Sequence, residues 1–213
     1  MNFKCIPVGA LDTNCYLLED DGKLVIIDPG AQADRILQAL DGAVPKAIIV
    51  THRHWDHISA IPELLAEFDI PVYASEKDAD AICDSGEDGN RSQSALMRRY
   101  LPGACEIEKI DKRLNEGDVI KVGNLNLHVI ETPGHSIGSI CLYCPEAQLM
   151  FTGDTLFAGG SCGRTDFPTG SMDDMQQTLA TKFVDIADNI AIYPGHGPRS
   201  SFSAERLANS QLH

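Results

Sequence analysis

Ala47-Ile48-Ile49-Val50-Thr51-His52-Arg53-His54-Trp55-Asp56-His57 is the stretch from which the rest of the chain is read. Its first four residues are apolar without alternation, which predicts a short strand buried on both faces. Three histidines and an aspartate then crowd into positions 52–57. A strand end projects alternate residues to one side, so His52 and His54 are expected to point at one ion. Asp56 and His57 open the next helix, whose free N–H groups suit an anion. An exposed polar turn explains the crowding poorly, because charged imidazoles would repel one another there and a metal relieves the repulsion.

Outward from this stretch the pattern recurs. Thr132-Pro133-Gly134-His135, Phe151-Thr152-Gly153-Asp154 and Tyr193-Pro194-Gly195-His196-Gly197 each end a predicted strand, at 125–131, 148–151 and 190–193. Each sets a ligand-type residue beside a glycine that lets the backbone turn sharply. Earlier in the chain, strands 14–18 and 23–27 flank Asp20-Asp21-Gly22, a hairpin signal. Apolar residues at 33, 36, 37 and 40 predict a helix, and those at 58, 61, 64, 65 and 68 a second one. Pro71 to Ala74 reads as a strand, and polar, glycine-bearing Asp84 to Ser94 as a mobile loop. Strands 119–122 and 139–143, a helix over 172–181 and the absence of any linker complete an arrangement of two mixed layers with outer helices.

The motifs T-H-x-H-x-D-H, G-H, G-D-T-L-F and Y-P-G-H-G-P, in this order, resemble the metallo-β-lactamase superfamily over essentially the whole chain. The chain is most similar to hydroxyacylglutathione hydrolases (glyoxalase II), their shorter relatives and the persulfide dioxygenases. The resemblance implies an α/β (α+β) fold: a four-layer αββα sandwich of two mixed β-sheets with outer helices, one domain over residues 1–213. It implies that His52, His54 and His135 hold a first metal and that Asp56, His57 and His196 hold a second. Asp154 bridges the two, and Asp28 and Thr51 orient the ligands. Asp56 and Asp154 are the implied catalytic residues. The cofactors are two divalent transition-metal ions, with zinc placed first and iron or manganese as alternatives; imidazole and carboxylate donors do not choose among them.

The glycine-rich run Leu156 to Pro168 follows Asp154. Its Arg164 either holds a substrate carboxylate bidentately or ties down its own loop by pairing with Asp166. Gly163-Arg164-Thr165-Asp166 departs from the lysine and tyrosine that hold glutathione in glyoxalase II and looks like the short relatives. The helical C-terminal domain of glyoxalase II has no counterpart after Gly197, so weak use of glutathione conjugates is expected. The expected activity is hydrolysis of a small-molecule thioester; the alternatives are an iron-dependent persulfide dioxygenase and a non-catalytic metal-binding module. A lactamase and a nuclease rank lower.

Composition narrows the partners. With 213 residues, a net charge of −14 and 43% apolar residues, the chain has ordinary globular make-up and an acidic surface that repels phosphate backbones. Its densest basic cluster is Arg98-Arg99, with Arg91 nearby. No nucleic-acid partner is expected, and no membrane partner either, since no apolar run approaches the roughly 18 residues of a span. The N-terminal run lacks a signal peptide's apolar core. Seven cysteines, an odd and scattered set, suit reduced thiols and a cytoplasmic location. Cys141 and Cys144 stand three apart on a predicted strand and are expected to diverge into the core. His128 and Cys162 are read as bystanders. Nothing in the chain speaks to oligomeric state.

Overall fold

The computed structural model describes residues 1–83 and 107–212. The segment read as a loop from Asp84 to Ser94 and the basic cluster Arg91, Arg98 and Arg99 lie outside the described residues.

Two six-stranded sheets face each other. The first has the order β1 (Asn2–Val8), β2 (Thr13–Asp20), β3 (Lys23–Ile27), β4 (Ala47–Ile49), β5 (Val72–Ser75), β6 (Lys112–Leu114). Its first three strands are antiparallel and the pairs from β3 to β6 are parallel. The second runs β12 (Ser200–Ser201), β11 (Ala191–Pro194), β10 (Leu149–Gly153), β9 (Ile140–Cys144), β8 (Leu125–Glu131), β7 (Val119–Val122). Only β10 and β11 are parallel there.

The two-residue alternation of the strands builds three apolar layers from these sheets. On β2, Tyr16 and Leu18 face the second sheet, whereas Cys15 and Leu17 face outward. The inner layer joins Val25, Ile27 and Ile49 to Leu127, Val129, Leu142 and Phe151. Helices α1 (Ala33–Leu40) and α3 (Ile61–Glu67) cover the outer face of the first sheet through Ile36, Leu40, Ile61 and Leu64. Helices α5 (Met172–Thr181) and α6 (Phe202–Ala208) cover the second through Met175, Leu179 and Phe202. This is the expected αββα sandwich. Cys141 packs in the outer layer and Cys144 in the inner one, so the two thiols diverge as expected. Among the described residues, no helix is long and apolar enough to cross a membrane.

The hairpin turns at Asp21-Gly22, both at positive φ, with Asp20 opposite Lys23; this is the geometry for which Asp-Gly is favoured. One expected helix is two. The apolar run 58–68 is divided between α2 (Trp55–Ile58) and α3. The Ala60 N–H bonds Pro29 O instead of an intrahelical carbonyl, Ser59 Oγ caps Trp55 O, and Pro62 supplies no N–H to continue the first helix. Strands β1, β6 and β12 and helices α4 (Glu76–Cys83) and α6 carry no pattern that the sequence reading used. β1 lies at a sheet edge, where a proline such as Pro7 is tolerated.

Candidate metal centre

All seven side chains expected to be ligands come together at one end of the two sheets. The loop after β4 brings His52 and His54, α2 brings Asp56 and His57, and the turns after β8, β10 and β11 bring His135, Asp154 and His196. Three overlapping groups have their donor atoms within 4.8 Å of one another: His52, His54 and His135; Asp56, His57 and His196; and His52, His57 and Asp154. The first two are called here the first and second triads. Asp154 groups with one member of each. Its Oδ2 stands 3.3 Å from His135 Nε2 and 3.5 Å from His196 Nε2, and its Oδ1 3.4 Å from His57 Nε2.

Neighbouring acceptors set the imidazole tautomers. Thr51 Oγ1 donates to Asp28 Oδ2 at 2.6 Å, so toward His52 Nδ1, at 3.1 Å, it can only accept. His57 Nδ1 donates to Asp28 Oδ2 at 2.9 Å, His135 Nδ1 to the main-chain oxygen of Arg164 at 2.6 Å, and His196 Nδ1 to Leu11 O at 3.0 Å. Each of these four rings therefore turns its Nε2 into the site. Buried His52 Nε2, His57 Nε2 and Asp154 Oδ1 have no hydrogen-bond partner among the described residues. His54 Nδ1 meets His135 Nε2 at 2.7 Å. Unpartnered buried polar atoms cost about 1–3 kcal/mol each, and here they converge. Metal binding, with loss of the His57 proton, would satisfy them, so the donor set fits a metal.

Electrostatics divide the triads. Burial, reinforced by His57 and His54, holds His52 well below the usual imidazole range. Burial and His135 push His54 down to about 3. For His57 burial acts in the same direction, but Asp154, Asp28 and Asp56 outweigh it and raise the ring well above its usual value. His196 is raised against its burial by Asp56 and Asp154. Burial would push Asp56 up, but His57, His196 and His54 hold its carboxyl well below the usual carboxylate range.

The supports come from both sheets. Asp28, at φ 52°, accepts the Thr51 N–H at 2.7 Å. Thr13 Oγ1 donates to Asp56 Oδ2 at 3.2 Å. Asn14 Nδ2 donates to Pro194 O and Gly197 O, both at 2.9 Å, bracing the turn that carries His196. Gly195 is required by space: a Cβ there would stand 2.2 Å from Asp154 Oδ1 and 2.6 Å from His57 Cε1. Thr13, Asn14 and Leu11 went unrecognised in the sequence, where they carry no signal, whereas Gly195 was read there as the glycine beside His196.

Of the two readings of Arg164, the structure displays loop bracing. Its guanidinium binds both Asp166 oxygens at 2.6 Å and lies 4.1 Å from the centre of the Phe167 ring, which stands edge-on to His54 at 5.3 Å. His128 lies on β8 near Tyr143, away from the cluster. Cys162 is half-buried against the outer layer of the second sheet.

A family model for the metallo-beta-lactamase superfamily matches residues 8–196. The chain belongs to that superfamily. Its membership makes it an enzyme of a metal-binding, hydrolase-type family. Among its relatives, hydroxyacylglutathione hydrolase GloC of Haemophilus influenzae is 35% identical, over 100% of this chain and 98% of that protein. The probable metallo-hydrolase YqgX of Bacillus subtilis is 34% identical with the same coverage. Among solved structures, the B3 metallo-beta-lactamase BLEG-1 superposes with a TM-score of 0.86 at 32% identity, covering 99% of each chain. TTHA1623 in a di-iron-bound form superposes with a TM-score of 0.80 at 29% identity, covering 98% of this chain and 100% of that one.

Proposed function

We propose that this superfamily member hydrolyses small thioesters of the 2-hydroxyacyl kind. The observation that carries the reading is its whole-length similarity to a hydroxyacylglutathione hydrolase. That relative spans the same length, so the span of this chain does not count against a glutathione carrier.

In this reading the first triad and the second triad would each hold one divalent ion, zinc before iron or manganese, with Asp154 available to both. Such ions lower the pKa of water toward about 7 and polarise a carbonyl oxygen. The chain's own groups orient and exclude. Asp56, ionised and fixed by Thr13, would orient the attacking water. Asp28 keeps His57 and Thr51 in register. Phe167 closes the His54 side against solvent. Arg164 has its Nε and Nη2 on Asp166, so a substrate carboxylate would meet it through Nη1.

A second reading, β-lactam hydrolysis, is favoured by the likeness to BLEG-1. The test loads metal-stripped protein with zinc and follows thiol release from 2-hydroxyacyl thioesters without oxygen. Parallel assays offer zinc protein a chromogenic cephalosporin and iron-loaded protein a persulfide in air. Thiol release well above the metal-free control is expected. Cephalosporin opening alone would move the assignment to a lactamase, and oxygen uptake with persulfide alone to a dioxygenase.

A further inference from the structure

Asp78 lies on α4, outside the triads, and is fully buried. Its carboxylate is occupied on both oxygens by the loops that carry the first triad. Oδ2 accepts the Arg53 N–H at 3.0 Å, and Arg53 stands between His52 and His54. The same oxygen accepts the hydroxyl of Ser136, the residue after His135, at 2.7 Å. Oδ1 accepts the Gly138 N–H at 3.2 Å. The two loops also join at their base, where the Ile140 N–H bonds Thr51 O at 2.9 Å. Asp78 joins them beside the histidines themselves. Position 138 has no room for a side chain, since a Cβ would stand 2.4 Å from Asp78 Cγ.

We propose that Asp78 is a positioning residue of the metal centre: by tying Arg53 to Ser136 and Gly138, it sets the spacing of His52 and His54 against His135. The physical reason lies in where the three rings originate. Two come from the end of a strand in the first sheet and one from the second sheet, so their separation depends on how the sheets sit against each other. A buried carboxylate bonded by donors from both loops holds that separation. Its loss strands two backbone N–H groups, leaves the Ser136 hydroxyl with Ser139 Oγ, and frees His135 to drift from His52 and His54. The inference rests on the ligand assignment above and holds whatever reaction the centre performs.

The experiment titrates metal-stripped, folded protein with buffered zinc. It reads zinc bound per chain and the emission of Trp55, the single tryptophan, which stands between His54 and Asp56. Asp78→Ala is expected to raise the half-saturating zinc concentration by about 10–100-fold, the usual effect of removing a ligand's support. Excess zinc should restore full occupancy. Glu205→Ala is the control. It removes another buried carboxylate, one that holds Gly159, Gly160 and Ser200 and touches neither ligand loop. This control should lower the melting temperature and leave half-saturation within about twofold, below the range expected of a ligand support. Should Asp78→Ala fail to fold, Ser136→Ala and Gly138→Ala carry the test, the first removing one bond and the second displacing the carboxylate. Half-saturation unchanged from wild type in every folded variant overturns the role of Asp78. A wild-type chain that takes up no zinc, iron or manganese overturns the ligand assignment, and this role with it.

Discussion

The first triad is all imidazole, and burial keeps His52 and His54 uncharged. The second mixes imidazole with carboxylate, and its Asp56, with Asp28 and Asp154, keeps His57 protonated in the metal-free chain. The first therefore offers lone pairs to a cation at neutral pH, whereas the second must give up a proton first. The difference teaches that proximity of ligands is not readiness to bind: two triads in one pocket, one all imidazole and one carrying a carboxylate, differ in what a metal must displace.

Removing what the triads share should have the largest effect. Asp154→Asn is expected to lower metal content at both positions and to cut turnover by more than the roughly 10–100-fold typical of a supporting residue, with far-UV circular dichroism unchanged. Two metals still bound with near-normal turnover would dissolve the shared-ligand picture. Gly195→Ala should come next, because its Cβ collides with Asp154 and His57 together; elemental analysis should show both occupancies reduced in a folded chain.

The pH dependence separates the triads. A ring whose pKa is raised stays charged through neutral pH and frees its lone pair only as the pH climbs past the raised value. In the metal-free chain, that charged state stabilises the fold below the unfolded histidine value of about 6.5, and the contribution is lost as the pH rises through the raised value. Zinc titrations at falling pH should therefore lose the second equivalent before the first, and the second should release more protons. Equal loss of both would erase the distinction. The smallest effect is expected from Thr13→Val, which removes one hydrogen bond to Asp56. It should cost about 0.5–1.5 kcal/mol and weaken the second equivalent by a few fold, leaving the first unchanged.

Much of this centre was legible. His52, His54, Asp56 and His57 are neighbours in sequence and need only one strand end to converge. His135, Asp154 and His196 were legible because each sits beside glycine at the end of an apolar run. The hairpin, α1 and α5 were legible from turn chemistry and helical periodicity. The break between α2 and α3 was not, since the apolar spacing at 58, 61, 64, 65 and 68 continues across it. What breaks the helix is Pro62, a local signal that the reading did not use, together with Pro29 O, far away in sequence, which captures the Ala60 N–H. Arg164 shows the opposite case: its residue type suited two roles, and only the position of Asp166 and Phe167 displayed one of them.

By itself the sequence determined the kinds of groups at the centre and the alternation that sorts Tyr16 from Leu17 and Cys141 from Cys144, because strand geometry has a period of two wherever the strand lies. Only the tertiary structure decided which nitrogen each histidine presents and which rings are charged. Those properties depend on groups distant along the chain: Asp28 meets His57 at the ends of neighbouring strands of the first sheet, the Arg164 carbonyl meets His135 beyond strands of the second, and Leu11 meets His196 across the two sheets. Hydrogen bonds and charge interactions act over a few ångströms of space, whatever the number of residues between.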